Sequence, residues 1–131
     1  FTDVTNNMRI AQEEIFGPVL AVLKYDDVDD AIRMANDSIF GLSAGVWSQD
    51  IDRAKGLASK LRSGTIWLNE WHMLSERAPF GGYKQSGIGR EFGDEGLNEY
   101  TELKTLYVDD AKTRDNKPWY DMVVARKNEE A

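Results

Sequence analysis

Two stretches of the sequence combine residue types that can do chemistry. The first is an acidic pair, Glu13–Glu14, which closely precedes Phe16. A carboxylate beside an aromatic ring can accept hydrogen bonds from ribose hydroxyls while the ring packs beside a flat cofactor base. Two glutamates on a short helix are also typical of a solvated helix face, because charged side chains are rarely buried. The residues by themselves leave both hypotheses open.

The second stretch is Pro79–Glu91, which carries four glycines within nine residues. Such a density of glycine disfavours helix and strand interiors, so the stretch is predicted to be a shaped loop. Gly82 and Gly87 have the separation found in a phosphate-binding Walker A loop, but Ile88 stands where that loop needs lysine. Gly87 and Gly89 are not followed by the third glycine of a dinucleotide loop. A structural loop and a ligand-binding loop both remain hypotheses.

Other residue types with catalytic potential are few. The single histidine, His72, lies near Glu70 and Glu76 without the spacing of a metal site, so no metal ligands are predicted. The sequence contains no cysteine, which excludes disulfides, thiolate metal ligands and a cysteine nucleophile within this chain. Trp67 and Trp71 are interpreted as a core residue and a residue at the lip of the fold.

The composition limits the classes of partner. The chain of 131 residues has the size of one ordinary domain. Its 16 basic residues against 23 acidic ones give a net charge of -7 without a basic patch, which argues against nucleic acid. The apolar runs are too short to span a bilayer, and the first residues lack the features of a signal peptide. A cytoplasmic protein without membrane contact is therefore expected.

The hydrophobic pattern predicts an α/β fold. Residues 19–25 form a nearly continuous apolar run, which is typical of a strand covered on both faces. Amphipathic helices are predicted at 28–35 and 51–61, and further strands at 42–47 and 65–69. Strands that alternate with helices through short connections indicate an open, mostly parallel sheet with flanking helices. Such sheets bind ligands beyond the carboxyl ends of their strands, here at the connection 70–78.

Two further regions follow this α/β part, which is assigned to residues 1–92. Residues 93–100 are predicted to form a short acidic helix and Thr101–Val108 a strand. That strand has no partner within the chain, and an unpaired edge strand invites a second chain. Residues 93–108 are therefore treated as an extension of helix and strand, and residues 109–131 as a polar tail.

Several co-linear motifs resemble the C-terminal part of the NAD(P)-dependent aldehyde dehydrogenase superfamily, from about residue 1 to about residue 108. The resemblance implies that residues 1–92 are part of a catalytic α/β domain and that residues 93–108 are an oligomerisation extension. The residues that carry it are 13–19, 36–38, 41–42, 63–65, Asn69, 79–91, 96–97 and 100–104.

The resemblance implies roles for residues that bind cofactor and substrate. Glu14 is similar to a glutamate that binds the nicotinamide ribose hydroxyls, and Phe16 to an aromatic residue beside the nicotinamide. Asn69 and Trp71–Ser75 resemble the lining of a substrate tunnel, with Phe80 as its aromatic wall. The implied activity is oxidation of an aldehyde to a carboxylic acid with NAD or NADP as the hydride acceptor.

The resemblance also implies roles outside direct binding. Glu91 resembles a glutamate that is linked to proton transfer in some members. Arg90 and Glu102 resemble charged residues of a subunit interface. Thr101–Val108 resembles the strand by which one subunit joins the sheet of another, so a homo-oligomer is expected.

The chain departs from the family pattern in its missing parts. In these enzymes the cysteine nucleophile, the glutamate base and a Rossmann-type cofactor domain lie upstream of the matched region. The chain contains no cysteine and starts without methionine, so we expect a fragment that is inactive alone and does not bind NAD or NADP tightly. The alternative hypothesis is a non-catalytic interaction or oligomerisation module.

Overall fold

The structure is a computed structural model that describes residues 1–110 and 118–123. Contacts divide the chain into two units, Phe1–Thr101 and Glu102–Ala131. No helix within the described residues is long and apolar enough to cross a membrane. The secondary structure comprises α1 (Arg9–Gln12), α2 (Val28–Asn36), β1 (Phe40–Gly41), β2 (Ser43–Val46), α3 (Ile51–Ala58), β3 (Thr65–Leu68), β4 (Tyr83–Lys84), α4 (Gly93–Asn98) and α5 (Pro118–Val123).

The two longest helices begin at carboxylate caps, as the sequence predicts. Asp27 precedes α2 in an extended conformation, and its Oδ1 accepts a hydrogen bond of 2.8 Å from the backbone N–H of Asp30. Asp50 caps α3 in the same way by accepting from Arg53 N at 2.9 Å. Each cap satisfies a backbone donor that has no partner within its helix.

The strands form two small sheets in the described part of the chain. β2 and β3 pair in parallel, with Ser43 opposite Thr65 and Val46 opposite Leu68. β1 and β4 pair antiparallel, with Phe40 opposite Lys84. The α/β character and the parallel crossover through α3 are confirmed, but the prediction of one open, mostly parallel sheet is wrong for these residues.

The apolar run 19–25 does not form the predicted buried strand. Its backbone bonds are to the chain start, where Val22 N donates to Phe1 O at 2.9 Å and Phe1 N donates to Leu20 O at 2.8 Å. The Leu20 side chain is 73% exposed. A central strand needs neighbours on both edges and cover on both faces, and the described residues supply neither to this run.

Residues 101–110 form no strand and are exposed throughout. A strand requires a partner backbone for its ladder of hydrogen bonds, and none of the described strands pairs with this segment. The predicted pairing of Thr101–Val108 with another subunit therefore stays a prediction. The domain boundaries at residues 92 and 108 also stay predictions, and α4 belongs to the first unit. Of the predicted polar tail, residues 111–117 and 124–131 lie outside the described residues.

The C-terminal end of α2 joins several elements through side-chain hydrogen bonds. Asn36 Nδ2 donates to Lys60 O at 2.8 Å, and Asn36 Oδ1 accepts from Arg62 N at 2.7 Å. Lys84 Nζ donates to Asn36 O at 2.8 Å and to Ser38 O at 2.9 Å. A lysine at this end of a helix satisfies free carbonyls and complements the helix dipole. The turn 36–38 thus links α2 to the turn after α3 and to β4.

A second group of contacts ties the same turn to the start of the chain. Asn6 Nδ2 donates to Asp37 Oδ2 at 2.6 Å. Gln12 Nε2, at the end of α1, donates to Asn6 O at 2.6 Å and to Asp37 O at 2.9 Å. Three segments that are distant in sequence therefore converge on one turn.

We predict that Asn36→Ala destabilises the protein by about 1–2 kcal/mol, because two hydrogen bonds worth about 1 kcal/mol each are lost and a small gain in helix propensity opposes the loss. Urea unfolding followed by tryptophan fluorescence measures the change. Asn98→Ala is the matched control, since Asn98 also lies in a helix and its side chain bonds to no described residue. Equal stability of the two variants would contradict a linking role for Asn36.

Candidate functional site

The carboxyl ends of β2 and β3 are held together by Asn69, the residue that follows β3. Asn69 Nδ2 donates to Ser48 O and Asn69 Oδ1 accepts from Ser48 N, both at 2.8 Å. Its backbone N–H donates to Val46 O at 2.9 Å. Asn69 has a φ of 55°, a left-handed conformation that asparagine tolerates better than most residues. The residue therefore turns the chain out of the sheet and clamps the loop that leads to α3.

This geometry bears on the prediction that Asn69 binds substrate. A carboxamide has two N–H donors and an oxygen with two lone pairs, and the clamp uses one of each. The side chain is exposed, so its remaining donor and acceptor can face a ligand. Asn69 thus has a structural role in the chain that leaves contact with a substrate open.

An aromatic cluster lies beside this turn. The Trp71 ring is 5.0 Å from the Trp67 ring and 6.2 Å from the Trp47 ring, measured between centroids. Trp67 is buried, and its Nε1 donates to Met73 O at 2.8 Å. His72 lies edge-on to Trp67 at 6.3 Å. Trp67 and Trp71 have the predicted positions in the core and at the lip, and together they fix the connection after β3.

The glycine-rich loop 79–91 is closed by its own backbone. Phe80 and Glu91 exchange two backbone hydrogen bonds of 2.8 Å. Gly89 has a φ of +79°, which favours glycine, and a Cβ at Gly82 would lie 2.5 Å from Ser86 O. The structure thereby explains two of the glycines by conformation and close backbone packing, without a ligand.

Arg90 stabilises the same loop from inside. One guanidinium nitrogen donates to Gly89 O at 2.7 Å and to Gly82 O at 3.1 Å. The guanidinium also lies over the Tyr83 ring, 5.7 Å from its centroid, at the distance of a cation–π contact. The predicted interface role of Arg90 stays a prediction beside these contacts within the chain. Glu102, the other predicted interface charge, is exposed in the second unit.

Two open clefts meet at Leu42, between β1 and β2. One cleft, of about 370 Å³, is lined by Leu42, Phe80 and Arg90, with Glu91 at its border. The other cleft, of about 460 Å³, is lined by Leu42, by Glu14 and by residues in and directly after β1 and directly after β4. Leu42 and Ser86 line both clefts, so the predicted cofactor residue Glu14 and the predicted substrate residue Phe80 lie on two clefts that share lining residues.

The acidic pair is divided between two environments. Arg9 donates two hydrogen bonds of 2.8 Å to the Glu13 carboxylate. The hydrogen bond from Arg9 holds the pKa of Glu13 below its usual range, although the carboxylate is exposed. Glu14 lines the cleft, and no residue that the structure describes donates a hydrogen bond to its carboxylate. Phe16 is 98% exposed. The Glu14 carboxylate and the Phe16 ring are thus both exposed to solvent.

Some residues that line the clefts have no clear functional signal in the sequence. Leu42 and Ser86 line both clefts. In the sequence, the only signal for them is that Leu42 belongs to the Gly41–Leu42 motif and Ser86 to the glycine-rich loop. The Glu91 side chain is exposed, so its predicted link to proton transfer stays a prediction. Within the described residues, no group of three or more His, Cys, Asp or Glu side chains could hold a metal ion.

Residues 1–106 match the model of the aldehyde dehydrogenase family. The chain belongs to this family. It is 52% identical over 108 residues to aldehyde dehydrogenase 1A1 of Bos taurus, which covers 82% of the chain and 22% of that relative. The chain spans about a fifth of the length of such relatives. The resemblance noted in the motifs is therefore confirmed.

Solved structures of family members agree with this assignment. The NAD+ complex of aldehyde dehydrogenase from Bacillus cereus superposes with a TM-score of 0.81 at 51% identity, covering 84% of this chain and 22% of that one. Betaine aldehyde dehydrogenase from Staphylococcus aureus, also with NAD+, gives 0.74 at 54% identity, covering 76% and 20%. Both relatives bind NAD+ as solved.

Variants of the Staphylococcus aureus protein differ slightly in their identity to this chain. A variant with methionine in place of a proline is 55% identical, and so is a variant with leucine in place of the adjacent tyrosine. The variant with both replacements is 56% identical. A variant that combines the tyrosine replacement with phenylalanine in place of the preceding histidine is 54% identical.

We predict that two substitutions at Asn69 separate its backbone and side-chain roles. Asn69→Gly keeps the left-handed conformation and loses the Ser48 clamp, whereas Asn69→Ala loses both. Asn69→Ala should be less stable than Asn69→Gly by about 1 kcal/mol, because alanine pays for the positive φ. Urea unfolding gives the difference, and near-UV circular dichroism should show a weakened tryptophan signal in both variants. A more stable alanine variant would contradict the backbone role.

Proposed function

We propose that this chain forms part of an oxidoreductase that oxidises an aldehyde to a carboxylic acid with NAD or NADP as the hydride acceptor. The family membership and the NAD+ complexes of two relatives support the proposal. The observation that carries it is the pair of clefts that share Leu42 and Ser86, one with Glu14 and the other with Phe80. A hydride acceptor and its donor must meet at one point, and these clefts share a wall.

The described residues fit the cofactor that the family implies. The exposed Glu14 carboxylate has acceptor capacity that no described residue uses, and ribose hydroxyls are donors that suit it. The exposed Phe16 ring can pack beside a flat base. When bound, NAD or NADP supplies the site that accepts a hydride. We propose that Glu14 orients the ribose and that Phe16 limits the tilt of the nicotinamide.

We propose that Phe80, Trp71 and Asn69 contact the aldehyde from the substrate side. Phe80 is fixed by its two backbone bonds to Glu91, and Trp71 by contact with two other indole rings. Rigid aromatic walls exclude water and orient an apolar substrate. Glu91 borders the Phe80 cleft, and a proton relay through it is part of the proposal.

The nucleophile of the family reaction is not supplied by this sequence, which contains no cysteine. We propose that the 131-residue chain alone does not oxidise aldehydes and does not retain NAD or NADP tightly. The relevant protein for activity is the full-length polypeptide that carries this chain.

We predict that Glu14→Gln in the full-length protein lowers kcat/KM for NAD or NADP by about 10- to 100-fold, because hydrogen bonds to a charged acceptor are worth about 1.5–3 kcal/mol. Reduced cofactor formation at 340 nm measures the rate. Glu13→Gln is the matched control and should change the value less than about fivefold, since the exposed Arg9–Glu13 pair is weak. The isolated chain should form no reduced cofactor. Equal effects of the two substitutions would contradict the role of Glu14.

A second candidate function is self-association through residues 101–108. Leu103, Leu106 and Tyr107 are each at least 81% exposed in the structure. Exposed apolar residues in a segment that belongs to none of the described sheets favour pairing with another chain. We propose that this segment joins the sheet of a second copy, which would make a homo-oligomer.

We predict that Leu106→Pro weakens self-association about tenfold, because proline removes a backbone donor that a strand ladder needs. Sedimentation velocity of the protein over a range of concentrations measures the change. Leu106→Ala is the control, since it removes the side chain and keeps the backbone N–H. A clean monomer of the unmodified protein at high concentration would reject the candidate function.

A further inference from the structure

Ser86 holds the glycine-rich loop to a distant part of the chain. Its Oγ accepts a hydrogen bond of 2.9 Å from Gly41 N, which lies at the end of β1 and 45 residues away in sequence. Directly before it, Gln85 N donates to Ile39 O at 2.9 Å. The loop is therefore fixed to β1 by a side-chain hydrogen bond as well as by its backbone.

The two partners of this bond have little freedom to move. Ser86 N donates to Tyr83 O at 3.1 Å, which closes the turn after β4. A Cβ at Gly41 would lie 2.5 Å from Arg62 O and 3.1 Å from the Cβ of Tyr83. The backbone around Gly41 is thus packed closely on both sides, and the direction of its N–H is fixed.

Ser86 also lies where the two clefts of the candidate site meet. The Glu14 cleft and the Phe80 cleft share Leu42 and Ser86 as lining residues. Gly41 lines the Glu14 cleft, whereas Phe80 belongs to the glycine-rich loop. The hydrogen bond from Gly41 N to Ser86 Oγ therefore joins a wall of one cleft to a wall of the other.

The hydroxyl of Ser86 is not arranged as a nucleophile. A serine nucleophile needs an adjacent base that takes its proton. No residue that the structure describes accepts a hydrogen bond from Ser86 Oγ, and the bond to Gly41 N uses the oxygen as an acceptor. The contacts therefore favour a role in positioning over a role in forming or breaking bonds.

The reaction proposed for the full-length protein depends on alignment, because a misplacement of about 1 Å can cost roughly 100-fold in rate. We infer that Ser86 is a positioning residue for this reaction, which sets the separation of the Glu14 cleft and the Phe80 cleft through its bond to Gly41 N. The inference rests on the proposed function. Since Glu14 and Phe80 are retained when Ser86 is replaced, loss of the hydroxyl should affect the rate more than binding.

The first test measures the kinetics of Ser86→Ala in the full-length protein, with hexanal as the aldehyde and the absorbance of the reduced cofactor as the readout. We expect kcat to fall by about 10- to 100-fold, while KM for hexanal and for NAD or NADP stays within about threefold. Ser86→Thr keeps the hydroxyl and should recover most of the lost kcat.

Ser38→Ala is the matched control for this test. Ser38 Oγ also accepts one hydrogen bond from a backbone N–H, that of Phe40 at 3.1 Å, but this bond closes a local turn. Ser38 lines neither the Glu14 cleft nor the Phe80 cleft. The control should therefore leave kcat nearly unaltered.

The second test does not depend on turnover. Hydrogen exchange of the full-length protein, followed by mass spectrometry, reports how often residues 79–91 open. Ser86→Ala should speed the exchange of peptides from this loop by about fivefold, as expected for the loss of one neutral hydrogen bond. Ser38→Ala should leave the exchange of the same peptides unaltered.

The inference would be overturned by equal kcat values or equal loop exchange in Ser86→Ala and Ser38→Ala, or by a Ser86→Thr protein as slow as Ser86→Ala. A Ser86→Ala protein that does not fold would also overturn it, because one neutral hydrogen bond is too weak to support the whole fold. These results leave the proposed function standing if the unmodified protein oxidises hexanal. If the unmodified protein turns over neither hexanal nor acetaldehyde with NAD or NADP, both proposals fail.

Discussion

The polar contacts at the C-terminal end of α2 are the constraint on which the rest of the first unit depends. The apolar core there is small, since the buried apolar residues among those described are Val4, Ala54 and Trp67. Burial on this scale leaves little to fix the relative positions of distant segments. The side chains of Asn36 and Lys84 do so instead, because each bonds to backbone atoms far away in sequence. Replacing either side chain is therefore expected to loosen the contacts between these distant segments as well as the C-terminal end of α2.

The consequences of that constraint reach the candidate site through β4. Lys84 lies in β4 with a φ of 53°, and β4 pairs with β1. The chain then continues into Ser86, whose Oγ accepts from Gly41 N at 2.9 Å. This contact sets the glycine-rich loop against the end of β1, next to Leu42, and Phe80 and Leu42 line the same cleft. The glycines of the loop permit the shape that borders this cleft.

The sequence predicts local features well and tertiary ones less well. The helices α2 and α3 are predictable because Asp27 and Asp50 cap them through contacts over three residues. β3 is predictable from the β-branched and aromatic residues among its four positions. The run 19–25 failed because burial on two faces depends on partners that no local pattern encodes. The meeting of Glu14 and Leu42 at one cleft was equally hidden, since packing between distant segments creates it.

The division of the acidic pair shows why residue type alone left its role open. Glu13 lies one turn from Arg9 and is held by two hydrogen bonds, so its charge is satisfied within the chain. Glu14 lies one residue further, beyond the end of α1, and lines the cleft instead. Glu13 thus fits the hypothesis of a solvated helix face, whereas the cofactor role of Glu14 stays a prediction. Because α1 ends at Gln12 with Glu13 as its C-cap, two adjacent and identical side chains have different surroundings, one in an ion pair and the other at a cleft.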